Sequence, residues 1–209
     1  MFKLNNTMNS RNIFFSTRFL VSVFSLKDLP TDIGLEIAFC GRSNSGKSSV
    51  LNAITRNKKL AKTSKTPGRT RAINIFSIDD QKMNRIADLP GYGFARVSKQ
   101  TQREWAKLIT AYLNSRQSLG GLVIIMDIRH PFKESDLTLI DWCSETNTPL
   151  LIVLNKSDKL SKSGVLREVE KANLMLKQMN LKGQALGFSS TKTTGIEKLD
   201  EKLKRWFDV

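Results

Sequence analysis

Residues Gly41-Arg42-Ser43-Asn44-Ser45-Gly46-Lys47-Ser48, followed by Ser49, satisfy the pattern G-x-x-x-x-G-K-[ST] at every fixed position. Glycines in such a loop let backbone N–H groups turn inward around phosphate oxygens. The Lys47 ammonium can reach the β- and γ-phosphates of a nucleotide, and the Ser48 hydroxyl can ligate Mg²⁺. A second stretch, Asp88-Leu89-Pro90-Gly91, closes an alternating run. A carboxylate there can hold the water shell of the same Mg²⁺, and the Gly91 N–H can sense a γ-phosphate. A third, Asn155-Lys156-Ser157-Asp158, follows an apolar run. The Asp158 carboxylate can accept from both N1–H and the exocyclic amine of guanine, a pair of donors that adenine lacks. Asn155 can reach the other edge of the base, and the Lys156 stem can cover its face. Each stretch alone could be an ordinary polar loop; together and in this order they describe a magnesium–nucleotide site with a preference for guanine.

Such loops need a rigid frame. Apolar or alternating runs at 35–40, 72–78, 84–88, 122–127, 150–155 and 185–189 read as six strands. The short polar connection at 79–82 makes the second and third an antiparallel hairpin. Trp105, Leu108, Ile109, Tyr112 and Leu113 form one helical stripe, and Val165, Val169, Ala172, Leu176 and Met179 another. Helices are also expected after Lys47, near 135–145, and at the C-terminus through Ile196, Leu199, Leu203 and Trp206. Strands alternating with helices predict an α/β fold: a doubly wound, mixed, six-stranded sheet flanked by helices. In such sheets ligands sit beyond the carboxyl ends of the strands, where each of the three stretches falls.

The chain has 209 residues, enough for one core, and shows no repeat or internal linker. Lys and Arg number 34 against 19 Asp and Glu, a formal net charge of +15, which favours a polyanionic partner, most often nucleic acid. A run with six basic residues between Lys58 and Arg71 and no acid lies after the phosphate loop, and Pro67-Gly68 breaks any helix there. Cys40 and Cys143 are expected as buried apolar residues rather than a disulfide or metal site. No run approaches a membrane span. Residues 1–27 hold Lys3, Arg11, Arg18 and Lys27 and no acid, with phenylalanines among serines. That composition is like an organelle transit peptide. The preferred expectation is an N-terminal extension, partly disordered, leading into an extended segment that packs on a domain spanning 28–209. His130, the one histidine, is expected to pack in a loop, with no nucleophile placed for it.

The three stretches resemble the phosphate-loop, D-x-x-G and N-K-x-D motifs of translation-factor-class GTPases, and Ser189-Ser190-Thr191-Lys192 resembles their S-A-K element. In more detail, residues 41–49, Ser-Lys-Thr-Pro-Gly-Arg-Thr at 64–70, Asp-Leu-Pro-Gly-Tyr-Gly at 88–93 and Met-Asp-Ile-Arg-His-Pro at 126–131 resemble the EngB (YihA/YsxC) family of bacterial GTPases over residues 18 to 207. The resemblance implies a Ras-like P-loop GTPase fold, GTP hydrolysis in the cytoplasm by a monomer, and a role in assembling the large ribosomal subunit through rRNA-rich precursors, and so in growth and cell division. It makes Thr70 the switch threonine on Mg²⁺, with Thr66 a competitor that spacing does not exclude. Metal ligands are then Ser48, Thr70 and Asp88, and the catalytic set is Lys47, Thr70 and Gly91. It puts Gly68, Arg69, Arg71 and Ala72, with Leu89, Pro90 and Phe188, beside the nucleotide. Tyr92 stands where Ras-like enzymes carry a water-orienting Gln, so slow intrinsic hydrolysis is expected. Asn44 matches the phosphate-loop Asn of K⁺-activated GTPases, which makes K⁺ a candidate; Asn44 could equally only fix the loop's shape. A mitochondrial relative, an RNA-binding module with a vestigial nucleotide site and a nucleotide kinase are the competing readings. Intact Lys47, Ser48 and Asp88 count against the second, and the N-K-x-D motif against the third.

Overall fold

The apolar runs become strands because both faces of the sheet are covered by helices, the arrangement that near-continuous Val/Ile/Leu segments favour. The structure is a computed structural model that describes residues 12–61, 72–79, 81, 83–93 and 99–208. In chain order it holds β1 (Arg18–Val23), β2 (Glu36–Gly41), α1 (Lys47–Ile54), β3 (Ile73–Asp79), β4 (Asn84–Asp88), α2 (Lys99–Ser115), β5 (Leu119–Asp127), α3 (Glu134–Thr146), β6 (Leu150–Asn155), α4 (Lys162–Gln178), β7 (Gly183–Gly187) and α5 (Ile196–Trp206). The strand order is β1-β3-β4-β2-β5-β6-β7. β3 and β4 form the expected antiparallel hairpin, and β2 pairs in parallel with β4 and β5.

Among the described residues the sheet has seven strands, one more than the sequence predicts. The added strand is β1, which comes from the segment read as an extension and pairs antiparallel with β3, Phe19 facing Phe76 and Val23 facing Ile73. A bulge between Phe19 and Val21 interrupts its register, and Phe19 and Leu20 remain exposed, so its pattern does not alternate as a buried strand's would. Residues 18–23 therefore belong to the sheet itself.

One face of the sheet packs against α2, α3 and α4 through Ile109, Tyr112, Ile140, Cys143, Ala172 and Leu176. The other packs against α1 and α5 through Val50, Leu51, Ile54, Leu199 and Leu203, with Phe14 and Phe207 added at its edge. The Trp105 side chain lies outside the described residues. Both cysteines are buried and free, as expected. The foot of the sheet is held by an ionic cluster that sequence reading missed. Glu36, wholly buried, accepts from the Tyr112 hydroxyl at 2.6 Å and from Arg116 Nε and Nη2 at 3.1 Å, with Arg85 Nε 3.3 Å away. β2, β4, β5, β6 and β7 run from this foot and end together at the opposite edge.

Candidate functional site

That edge carries the loops. β2 ends at Gly41, where a Cβ would lie 2.6 Å from the Ile125 carbonyl oxygen and 2.7 Å from Ser45 Oγ, so the chain can turn this tightly only without a side chain. Asn44 has φ of 64° and Gly46 of 93°, and Lys47 and Ser48 open α1. The N-terminal N–H groups of α1 thus face the loop, an arrangement that attracts anions. Ser45 Oγ is buried with no hydrogen-bond partner among the described residues. Ser43 and Ser49 are partly exposed.

Asp88 ends β4 beside Phe39, and the chain after it runs along the phosphate loop. Leu89 N–H donates to the Phe39 carbonyl at 2.9 Å, Tyr92 N–H to Gly41 at 3.2 Å and Ser43 N–H to Tyr92 at 2.8 Å. Asp88 and Gly91 are thereby brought to the phosphate loop, and the Lys47 ammonium pairs directly with the Asp88 carboxylate. The Ser48 hydroxyl and the Asp88 carboxylate are hard oxygen donors of the kind Mg²⁺ takes. The described residues hold no cluster of three or more His, Cys, Asp or Glu. With one hydroxyl and one carboxylate from the chain, an Mg²⁺ ion here would be completed by phosphate oxygens and water.

The guanine-type loop sits at the end of β6. Asn155 is almost wholly buried; its amide donates to the Ser45 carbonyl at 2.9 Å and accepts from the Ser190 N–H at 3.3 Å. It therefore braces two loops. Lys156, at φ 66°, extends to the Asn44 carbonyl at 2.6 Å. Asp158 accepts from the Ser189 hydroxyl at 2.6 Å, which holds its carboxyl below the ordinary range. The Ser157 N–H donates to the Phe188 carbonyl at 3.0 Å. All four motifs therefore converge.

Several expected contacts change character. The side chains of Leu89 and Phe188 belong to the core and that of Ala72 is buried, so only their backbone can line the cleft. The structure buries Tyr92 as well, at 3% exposure, and its hydroxyl donates to Asp136 of α3 at 2.8 Å. Asp136 also accepts from the Lys133 N–H at 3.0 Å, and burial raises its carboxyl above the ordinary range. Burial pushes the Tyr92 phenol well up. Arg42 bridges to Tyr92, and a Cβ on Gly93 would lie 2.9 Å from Arg42 Nε. His130 is exposed, not packed; its N–H closes a turn on Asp127 at 3.0 Å. Gly68, Arg69, Thr70 and Arg71, and Thr66 with them, lie outside the described residues. Asp136 gave no sequence signal beyond a carboxylate in a helix's first turn, because its partner lies 44 residues away.

A doubly wound sheet with a phosphate loop after its first parallel strand, an Asp-x-x-Gly turn beside it and an Asn-Lys-x-Asp loop across from it defines a P-loop GTPase. A family model described as "50S ribosome-binding GTPase" matches residues 36–156. The chain is 46% identical over 191 residues to the probable GTP-binding protein EngB of Salmonella heidelberg (strain SL476), covering 91% of this chain and 90% of that protein. It is 45% identical over 192 residues to the protein of that name from Escherichia coli O157:H7 (strain EC4115 / EHEC), covering 92% and 90%. A crystal structure of a probable GTP-binding protein engB shares the fold, with a TM-score of 0.62 at 23% identity over 83% of this chain and 98% of that one. The chain belongs to the EngB family of GTP-binding proteins and is a GTPase. No helix among the described residues is long and apolar enough to cross a membrane.

Proposed function

We propose that this GTPase is a nucleotide-driven switch in the assembly of the large ribosomal subunit, acting as a monomer in the cytoplasm on rRNA-rich precursors, and that normal growth and cell division depend on it. The match to a family described as 50S ribosome-binding carries the reading. The formal charge of +15 supports it, since a surface of this sign attracts RNA. The relatives named above are bacterial, which favours the cytoplasm over an organelle.

Within the cleft, the backbone from Gly41 to Ser49 cradles the phosphates of GTP or GDP. Lys47 exchanges its contact with Asp88 for the β- and γ-phosphates. Ser48, Asp88 and the switch threonine Thr70 would hold Mg²⁺, which when bound would supply positive charge beside the phosphates, and the Gly91 N–H reports the γ-phosphate. Asp158 reads guanine, and the Ser189–Ser190 backbone closes over the guanine oxygen. Tyr92, buried against Asp136, offers no group to orient the attacking water, so intrinsic hydrolysis is slow. K⁺ near Asn44 is a candidate activator.

Cosedimentation with purified large ribosomal subunits tests the reading. Stronger pelleting with a non-hydrolysable GTP analogue than with GDP or no nucleotide is expected. Equal recovery in all three states would sink the switch, and no recovery in any would sink the ribosomal role.

A further inference from the structure

The Met126–Pro131 stretch is singled out by the sequence, yet nothing in the cleft described so far uses its charged residues. Asp127 ends β5 directly beside Asn155, its register partner at the end of β6. Its carboxylate is held from one side by Arg129, with Nε 2.9 Å from Oδ1, Nη2 2.6 Å from Oδ2 and the Arg129 backbone N–H 3.1 Å from Oδ1. From the other side Lys156 Nζ approaches Oδ2 at 2.9 Å. The same ammonium donates to the Asn44 carbonyl of the phosphate loop at 2.6 Å. An Asp held by a bidentate guanidinium has little freedom left, so the Lys156 ammonium meets a fixed anion rather than a mobile one.

We propose that Asp127, held by Arg129, is a positioning residue that clamps Lys156 across the guanine loop and the phosphate loop and thereby slows release of bound guanine nucleotide. This rests on the reading of the cleft as the guanine-nucleotide site. Both carboxylate oxygens of Asp127 are already engaged by this chain's own cations, so it acts through Lys156 and not on the nucleotide. A lysine stem has many rotamers. Anchoring its ammonium at Asp127 and at the Asn44 carbonyl leaves the stem stretched between the two loops before any base arrives, and the ordering cost of binding falls accordingly. The charge matters more than the shape alone. Between Asn44 and Asp127 the ammonium is neutralised, whereas a lysine with no anion beside it would prefer solvent.

The test is release of a fluorescent GDP analogue from the full chain by stopped flow, with Asp127→Ala, Lys156→Ala, the double variant and Asp127→Asn. Asp127→Ala is expected to release GDP about tenfold faster, a loss of the order carried by one anchored charge contact. The double variant should release no faster than Lys156→Ala, because the two residues act through one contact. Asp127→Asn retains one acceptor oxygen for Lys156 and should fall between Asp127→Ala and the unmutated chain. The melting temperature of the nucleotide-free protein should move little, and the preference for GDP over the hypoxanthine diphosphate should be unchanged. Release by Asp127→Ala within twofold of the unmutated rate would overturn the clamp. So would additive effects in the double variant, a nucleotide-free melting point lowered enough to account for the loss, or an altered base preference, which would put Asp127 on the base. Failure of the unmutated chain to bind the analogue would overturn the reading of the cleft and the clamp with it, whereas binding with an unchanged release rate in the variant would overturn the clamp alone.

Discussion

Asp158 and Asp136 are carboxylates in opposite situations, and each makes a different prediction. Asp158 lies at the cleft with its oxygens turned by the Ser189 hydroxyl. Asp158→Asn replaces an acceptor-only group with one donor and one acceptor, so one guanine donor would face an N–H. GTP affinity in calorimetry should fall by roughly a hundredfold or more, as for a site built to pair a polar edge, with a gain for the xanthine nucleotide, whose C2 oxygen accepts. Asp136 is buried under Tyr92 and its carboxyl sits above the ordinary range, chiefly through burial. A raised carboxyl contributes stability that is fully present below its unfolded value of about 3.9 and is lost as pH rises through the folded value. In urea titrations, Asp136→Asn should therefore gain stability relative to the unmutated chain as pH goes from 4 to 7. A difference that stays flat or reverses would mean that the Tyr92 hydroxyl and the Lys133 N–H fully compensate the buried charge. Residue types in short windows made Lys47, Ser48, Asp88 and Asp158 legible, because each lies within a few positions of the residues that define its motif. The partnership of Tyr92 with Asp136 and the bracing role of Asn155 were not legible, because they join chain segments 44 and 110 residues apart.

Among the elements, the central parallel strands could be read from their unbroken apolar runs, and the β3–β4 hairpin from its short polar turn. β1 could not. Phe19 and Leu20 face solvent, the bulge breaks the period of two, and the surrounding serines and cations look like an unstructured start. What fixes the segment is its neighbour, the short 3₁₀ turn at Ile13–Ser16, which drops Phe14 into the α1/α5 face. Phe14 is fully buried with its ring 6.0 Å from that of Phe207, and the Asn12 amide donates to Asp200 of α5 at 2.7 Å. The N-terminal segment is thus stapled to the C-terminal helix. Phe14→Ala leaves a cavity between two elements that cannot both close on it, and should cost about 3 to 5 kcal/mol. Chemical denaturation reads this directly. A loss below about 1 kcal/mol would show that β1 is an appendage to the sheet and not part of its core.

For the molecule as a whole, the proposed ribosomal role raises the question of where an excess of positive charge would meet RNA. Two regions compete. One is the basic run Lys58, Lys59, Lys62, Lys65, Arg69 and Arg71, of which only Lys58 and Lys59, both exposed, lie among the described residues. The other is α5, with Lys198, Lys202, Lys204 and Arg205. On α5, however, Lys204 pairs with Asp200 at 3.1 Å and Arg205 pairs with Glu201, so half of its cations already have an anion one turn away. Pairs along a helix surface contribute little to stability but do cancel charge towards a distant polyanion. The basic run also adjoins the proposed switch threonine Thr70. If Thr70 takes up Mg²⁺ in the GTP state as proposed, the affinity of the run beside it should depend on the nucleotide, whereas that of α5 should not. Neutralising Lys58, Lys59, Lys62 and Lys65 together should reduce the slope of log affinity against log salt for large-subunit binding by about 3 to 4, if each lysine displaces one counterion, and should remove the preference for the GTP analogue over GDP. Neutralising Lys198 and Lys202 should lower the slope by less than about 2 and leave that preference in place. A quadruple variant that keeps both its salt slope and its nucleotide preference would show that the basic run is not the RNA-binding surface.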